Sequence, residues 1–154
     1  MAFILIIATF VFMEFVAWFV HKYIMHGLFW NLHEDHHKKT TYGFFEKNDY
    51  FFVIFAAPAI VLFFSALFIN SNIPIYIASG ITLYGLAYFL VHELFIHQRF
   101  KVLRRTENRY FKAIRRAHKV HHKHLGKEDG ECFGMFVVPF KFYREAFSDN
   151  KLNE

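Results

Sequence analysis

The chain has 154 residues, 55% hydrophobic and 21% aromatic, with 23 phenylalanines and a formal charge of +5. That length sets one domain, residues 1–154, and the apolar share exceeds the ~45–50% usual in globular proteins. The single cysteine, Cys132, excludes an internal disulfide and implies no cysteine-based metal site.

Residues 2–20 open the chain as an apolar run whose one charge is Glu14. The run lacks a basic leader and flows into histidines rather than a small-residue cleavage site, so it reads as a membrane span, not a secretory signal. Glu14 is either a functional intramembrane group or a carboxylate buried against a neighbour. Residues 21–50 are polar and carry histidines. Residues 51–69 and 73–91 are again apolar and uncharged, joined by Asn70-Ser71-Asn72. Each of the three runs has 19 residues, a helix of ~28 Å against a hydrocarbon core of ~30 Å. As buried helices of a soluble protein, three such runs would leave too little polar surface.

Segment 107–122 has helical spacing of Tyr110, Phe111, Ile114 and Ala117, interleaved with Arg109, Lys112, Arg115 and Arg116, and reads as a helix lying near the membrane. Run 133–140 (FGMFVVPF) is too short to span and holds a proline. It reads as a re-entrant or interfacial piece, with a fourth shallow span as the alternative. All 18 Lys and Arg lie in 21–50 or 92–154. Three spans put both basic segments on one side, the cytoplasmic side by the positive-inside tendency, with the N-terminus outside. The fold expected is an all-α membrane bundle of three spans with a cytoplasmic, histidine-rich, metal-binding cap.

All eleven histidines fall into four clusters beside the ends of these runs. His33, His36 and His37 form H-x2-H-H, and so do His118, His121 and His122. Positions i, i+3 and i+4 share a helix face, so three imidazoles can converge on one or two ions. His21/His26 and His92/His97 are H-x4-H, which a regular helix splays by roughly 140° unless a local bulge intervenes. Ten candidate ligands are too many for one ion, so a two-metal centre is the economical reading. Imidazole suits iron, zinc, copper and nickel. His124 lies outside the pattern and is expected to face solvent or to orient a ligand. Glu34, Asp35, Glu46, Asp49 and Glu93 are the nearest carboxylates, and a carboxylate is the expected partner for the second nitrogen of a ligating imidazole.

Other readings fit less of the chain. His33-Glu34-Asp35-His36-His37 matches H-E-x-x-H of zinc metalloproteases, but eight histidines then stand outside the motif, and Lys119 occupies the glutamate position in the second cluster. A metal transporter would place ligands within its spans. A ferritin-like carboxylate bundle would need paired Glu-x-x-His motifs.

The chain resembles the histidine-motif membrane di-iron oxygenases of the fatty acid hydroxylase and sterol desaturase superfamily, in particular the bacterial β-carotene 3-hydroxylases. The likeness runs from about Glu14 to Arg144. It rests on the order H-x4-H, H-x2-H-H, H-x4-H, H-x2-H-H and on the stretches HKYIMHG, LHEDHH, FEKNDYFFVIFA, YGLAYFLVHELFIHQRF, RRAHKVHH and FGMFVVP. His124 and the acidic pair Glu34-Asp35 depart from the pattern. The resemblance implies two non-haem iron ions held by the ten motif histidines, O2 as oxidant and a reduced ferredoxin-type electron donor. It implies hydroxylation of carotenoid β-ionone rings at carbon 3, taking β-carotene through β-cryptoxanthin to zeaxanthin. A fatty acyl chain, a sterol or a ketolated carotenoid is the alternative substrate. It also implies a home in the lipid bilayer of the bacterial inner membrane, and no nucleic-acid partner.

Overall fold

A computed structural model describes residues 1–38, 44–100 and 105–151, with the side chains of 148–151 not described. Lys39, Lys101 and Arg104, counted above among the basic residues, lie outside the described residues. The described chain is helical. Helix α1 (Ala2–Phe19) continues without a break into a π-helical segment, Val20–Leu28, and α2 (Trp30–His37) follows. A 3-10 turn, Lys47–Asp49, leads into α3 (Tyr50–Ser65). Helix α4 (Ile73–Phe89) continues into a second π segment, Leu90–Ile96, and α5 (Arg109–His121) and α6 (Phe140–Lys151) complete the chain.

Three helical stretches are long and apolar enough to cross a membrane: Ala2–Leu28, Lys47–Ser65 and Ile73–Ile96. Their apolar side chains mostly face outward. Phe3, Val11, Phe12, Phe15, Val53, Val61 and Phe64 are all exposed, an apolar surface that in water would drive association and that suits a membrane setting. The second stretch stops four residues before the apolar run does. Leu67 N–H donates to Phe64 O and Phe68 N–H to Ser65 O, both i→i−3 bonds that tighten residues 66–69 into the hairpin turn.

Helix α4 packs along both α1 and α3. The α1–α4 contact is close because residue 80 is glycine: a Cβ there would lie 2.6 Å from Thr9 Cβ and 2.7 Å from Ile6 O. Small residues at a membrane helix interface let the backbones approach in this way. Below the spans, α5 begins on Asn108, whose side chain accepts from Tyr110 and Phe111 N–H. Its face of Ala113, Ile114 and Ala117 packs on Val138, Phe142 and Ala146, so Ile114 and Ala117 of the stripe read from the sequence meet α6 while Tyr110 stays exposed.

Residues 131–139 are irregular, so the fourth shallow span is not formed. Instead this segment folds back against α1. Glu14 Oε1 accepts from Met135, Phe136 and Val137 N–H at 2.9, 2.8 and 3.0 Å, and Tyr84 donates to Glu14 Oε2 at 2.8 Å. Irregular backbone beside a span persists only where protein groups satisfy it, and the one acid inside α1 does so. Of the two readings of Glu14, the structure favours the carboxylate held against its neighbours, half-buried and partnered.

Candidate metal centre

The two H-x4-H pairs sit in the two π segments. There the backbone bonds close five residues back: Phe29 N–H donates to Ile24 O at 2.8 Å and His97 N–H to His92 O at 2.9 Å. A π turn stacks residue i+5 close to residue i, which removes the splay of a regular helix. The rings of His21 and His26 accordingly lie 5.2 Å apart, and those of His92 and His97 4.4 Å apart.

All ten motif histidines meet in one place and sort into two groups. The ligand nitrogens of His21, His26, His33, His37 and His121 lie within 4.8 Å of one another, and so do those of His36, His97, His118 and His122. His92 joins the second group, its Nε2 lying 3.3 Å from that of His36. Each H-x2-H-H motif divides between the groups. The i, i+4 pair His33/His37 enters the first and His36 the second, whereas His118/His122 enters the second and His121 the first. The two motifs therefore lace the groups together.

Among the described residues, seven of the ten rings face an oxygen at Nδ1. His21 Nδ1 faces Phe133 O, His26 Lys127 O, His37 His124 O and His121 Glu131 O. His33 Nδ1 lies 2.7 Å from Asn48 Oδ1, His36 Nδ1 2.8 Å from Glu46 Oε2 and His92 Nδ1 2.6 Å from Glu93 Oε1. An oxygen acceptor assigns the proton to Nδ1 and turns the Nε2 lone pair inward. Yet the Nε2 atoms of His21 and His33, His33 and His37, and His26 and His121 stand only 3.2, 3.1 and 3.3 Å apart. Two lone pairs at that distance repel, and no proton remains to bridge them. The separations fit ligands about 2.9–3.4 Å apart around one ion with metal–nitrogen bonds near 2.1 Å. The donor set therefore fits metal ions, with more imidazoles per position than a four-coordinate zinc site uses.

Burial favours the neutral imidazole at six of the cap histidines. It holds His33, His36 and His118 well below the ordinary imidazole range, with neighbouring imidazoles adding to the effect. It lowers His37 to about 4, with His26 contributing, and it lowers His121 and His122 further still. Neutral imidazole is the form that binds metal, so these ligands need not lose a proton at neutral pH.

The other expected residues divide. Glu93 orients His92, as a carboxylate partner should. Asp49 acts at one remove: it accepts from Glu46 N–H at 3.1 Å and pairs with Arg99 at 2.9 Å. Asp35 is buried but accepts from Lys47 N–H. Glu34 turns outward to Lys38, 2.7 Å away. His124 supplies its backbone carbonyl, not its ring, to His37. Sequence reasoning missed Asn48 and Arg99. Both lie within three residues of a named carboxylate or histidine, but neither belongs to a metal-ligand residue type.

A cavity of about 510 Å³ lies between α1, α3 and α4 and ends at His21 and His92, one imidazole from each group. One wall is the stripe Met13 and Ala17 of α1 with His21 and Met25 of the π segment that continues it, spaced four residues apart along one side. Along α3 it extends from Phe51 to Phe63, about 18 Å at 1.5 Å per residue. The lining is almost wholly apolar and aromatic.

Residues 6–142 match the fatty acid hydroxylase family. The chain is 39% identical over 137 residues to a β-carotene hydroxylase of Pantoea ananas, covering 88% of the chain and 77% of that relative. It is 41% identical over 136 residues to a β-carotene hydroxylase of Pseudescherichia vulneris, covering 88% and 76%. It is 37% identical over 130 residues to the chloroplastic β-carotene 3-hydroxylase 1 of Arabidopsis thaliana, covering 82% of the chain and 41% of that relative. No solved structure matches the chain.

Proposed function

The chain belongs to the fatty acid hydroxylase family, and on that premise we propose that it hydroxylates the β-ionone rings of carotenoids at carbon 3. It acts as one integral-membrane domain over residues 1–154, converting β-carotene through β-cryptoxanthin to zeaxanthin. The substrate comes from the β-carotene hydroxylases that resemble it over most of its length. The single observation that carries the reading is the apolar cavity ending at two imidazoles of a ten-histidine cluster.

His21, His26, His33, His37 and His121 would hold one iron ion and His36, His92, His97, His118 and His122 a second, and the pair would supply the O2 chemistry that oxygenates a C–H bond. Two electrons from a reduced ferredoxin-type donor and two protons from water balance the reaction, and the second oxygen atom leaves as water. The chain's own groups do the rest. Phe51, Phe55, Ala59 and Phe63 line a slot that admits a long apolar rod and excludes water. His21 and His92 fix where the end of that rod stops. Asn48, Glu46, Glu93 and the carbonyls of residues 124–133 hold the ligand rings in register. A fatty acyl chain, a sterol or a ketolated carotenoid would meet the same apolar slot and is the second reading.

The protease reading loses its base, because Glu34 pairs with Lys38 away from the imidazoles. The site belongs on the cytoplasmic face of a bacterial inner membrane, where reduced electron carriers are available. Pigment analysis of β-carotene-producing cells that express the chain tests the proposal. Zeaxanthin and β-cryptoxanthin are expected, and unchanged β-carotene beside correctly inserted protein would overturn the substrate assignment.

A further inference from the structure

The two imidazole groups differ in what stands behind them. In the first, every ring backs onto a neutral oxygen: the carbonyls of Phe133, Lys127, His124 and Glu131, and the side-chain amide of Asn48. In the second, His36 and His92 back onto the carboxylates of Glu46 and Glu93. These two acids and Asp49 gather around one guanidinium. Arg99 lies 2.8 Å from Glu93, 2.9 Å from Asp49 and 3.7 Å from Glu46. The chain reverses at Gln98, whose φ is 54°, and Arg99 N–H donates to Glu93 O at 2.9 Å, which seats the guanidinium there. Arg99 thereby ties all three carboxylates together behind the second group.

A carboxylate behind a ligating imidazole raises its basicity. We propose that the two metal positions are inequivalent. The position built from His36, His92, His97, His118 and His122 holds its ion more tightly, with Glu46 and Glu93 as positioning residues and Arg99 as their clamp. The position built from His21, His26, His33, His37 and His121 is the one that loses its ion first. This inference rests on the two-metal reading above.

Purified, iron-loaded protein in detergent is equilibrated anaerobically, under reducing conditions, with rising concentrations of an Fe(II) chelator, and iron per chain is counted. Two steps of loss are expected, separated by at least ~10-fold in chelator concentration. His33→Ala removes the weaker step and His36→Ala the tighter one. Glu46→Gln moves only the tighter step, by ~10–100-fold toward easier loss. Asn48→Asp places a carboxylate behind His33 and moves the weaker step toward harder loss, a gain that general misfolding cannot imitate. Loss of both ions in one step, or a Glu46→Gln effect confined to the weaker step, overturns the proposal. Saturation at one iron per wild-type chain overturns the two-metal reading itself, and is told apart by the stoichiometry.

Discussion

Glu14 and Tyr84 join two membrane-spanning helices through a 2.8 Å hydrogen bond from the phenol to the carboxylate. The same carboxylate caps three consecutive backbone N–H groups of the 135–137 segment. Two residues before that segment, Phe133 O holds the His21 ring. Gly134 allows the approach, since a Cβ there would lie 2.6 Å from Val137 O and 3.3 Å from Glu14 Oε1. Glu14→Ala therefore strands three backbone donors and frees the carbonyl that orients a ligand. Hydrogen bonds to a charged group are each worth ~1.5–3 kcal/mol, so a loss of at least about 3 kcal/mol is expected. Glu14→Gln keeps an acceptor oxygen and should recover part of it. Thermal unfolding in detergent and iron content read the two effects, and wild-type values for both in Glu14→Ala would sink the latch.

Alanine at His36, His37, His121 or His122 should abolish hydroxylation, by more than ~100-fold, while the protein still inserts. Each offers a ring nitrogen to one of the two groups. Near-normal zeaxanthin formation in two of the four variants would refute the ligand assignment. His124→Ala should cost little, because the bond to His37 comes from the backbone carbonyl, which alanine retains.

Glu34→Gln should leave turnover within about two-fold of wild type. Its partner Lys38 is 2.7 Å away and both side chains are about 41–42% exposed, a pair worth ~0–1 kcal/mol. On sequence grounds alone Glu34 is expected to orient a ligand, since it adjoins His33 and completes H-E-x-x-H. The structure separates adjacency in sequence from direction in space. On α2 residue 34 points away from the face shared by His33 and His37. Peptide cleavage lost in this variant would restore the protease reading.

The helices and the gathering of the histidines were legible because their signals are periodic: 19-residue apolar runs and i, i+3, i+4 histidines. What stands behind the ligands was not. Four of the seven assigned Nδ1 acceptors are backbone carbonyls between residues 124 and 133, and a carbonyl leaves no trace in residue type. Arg99 was equally hidden, since one arginine in a segment with 14 basic residues carries no mark of its three acidic partners. The π segments were foreseeable only as an option, because H-x4-H fits a π turn or a splayed helix equally well until the backbone bonds are seen.

The histidine cap and the C-terminus should lie in the cytoplasm, with Asn70-Ser71-Asn72 on the far side. No Lys or Arg falls in 2–20 or 51–91, and moving one to the bilayer centre would cost ~2.5–3.5 kcal/mol on insertion scales. Segment 92–154 carries 14 Lys and Arg against 8 Asp and Glu, a bias that favours retention on the cytoplasmic side and attracts an acidic electron donor. A C-terminal reporter active only in the cytoplasm should report activity. Activity of a reporter that works only outside would reverse the topology.

The cavity itself can be filled without touching a ligand. Gly85 lines it, and a Cβ there would meet nothing within 4 Å. Gly85→Leu should therefore fold, since glycine in a helix interior is ~1 kcal/mol worse than alanine and leucine is nearly as good. Its side chain would occupy the slot between α1 and α3 several residues short of His92. Turnover of a long rigid carotenoid should fall by at least ~10-fold, with iron content unchanged, because the loss is steric and lies in substrate access. The measurement is zeaxanthin formation beside iron per chain in the same preparation. Full activity in Gly85→Leu would show that the substrate reaches the metal centre by another route.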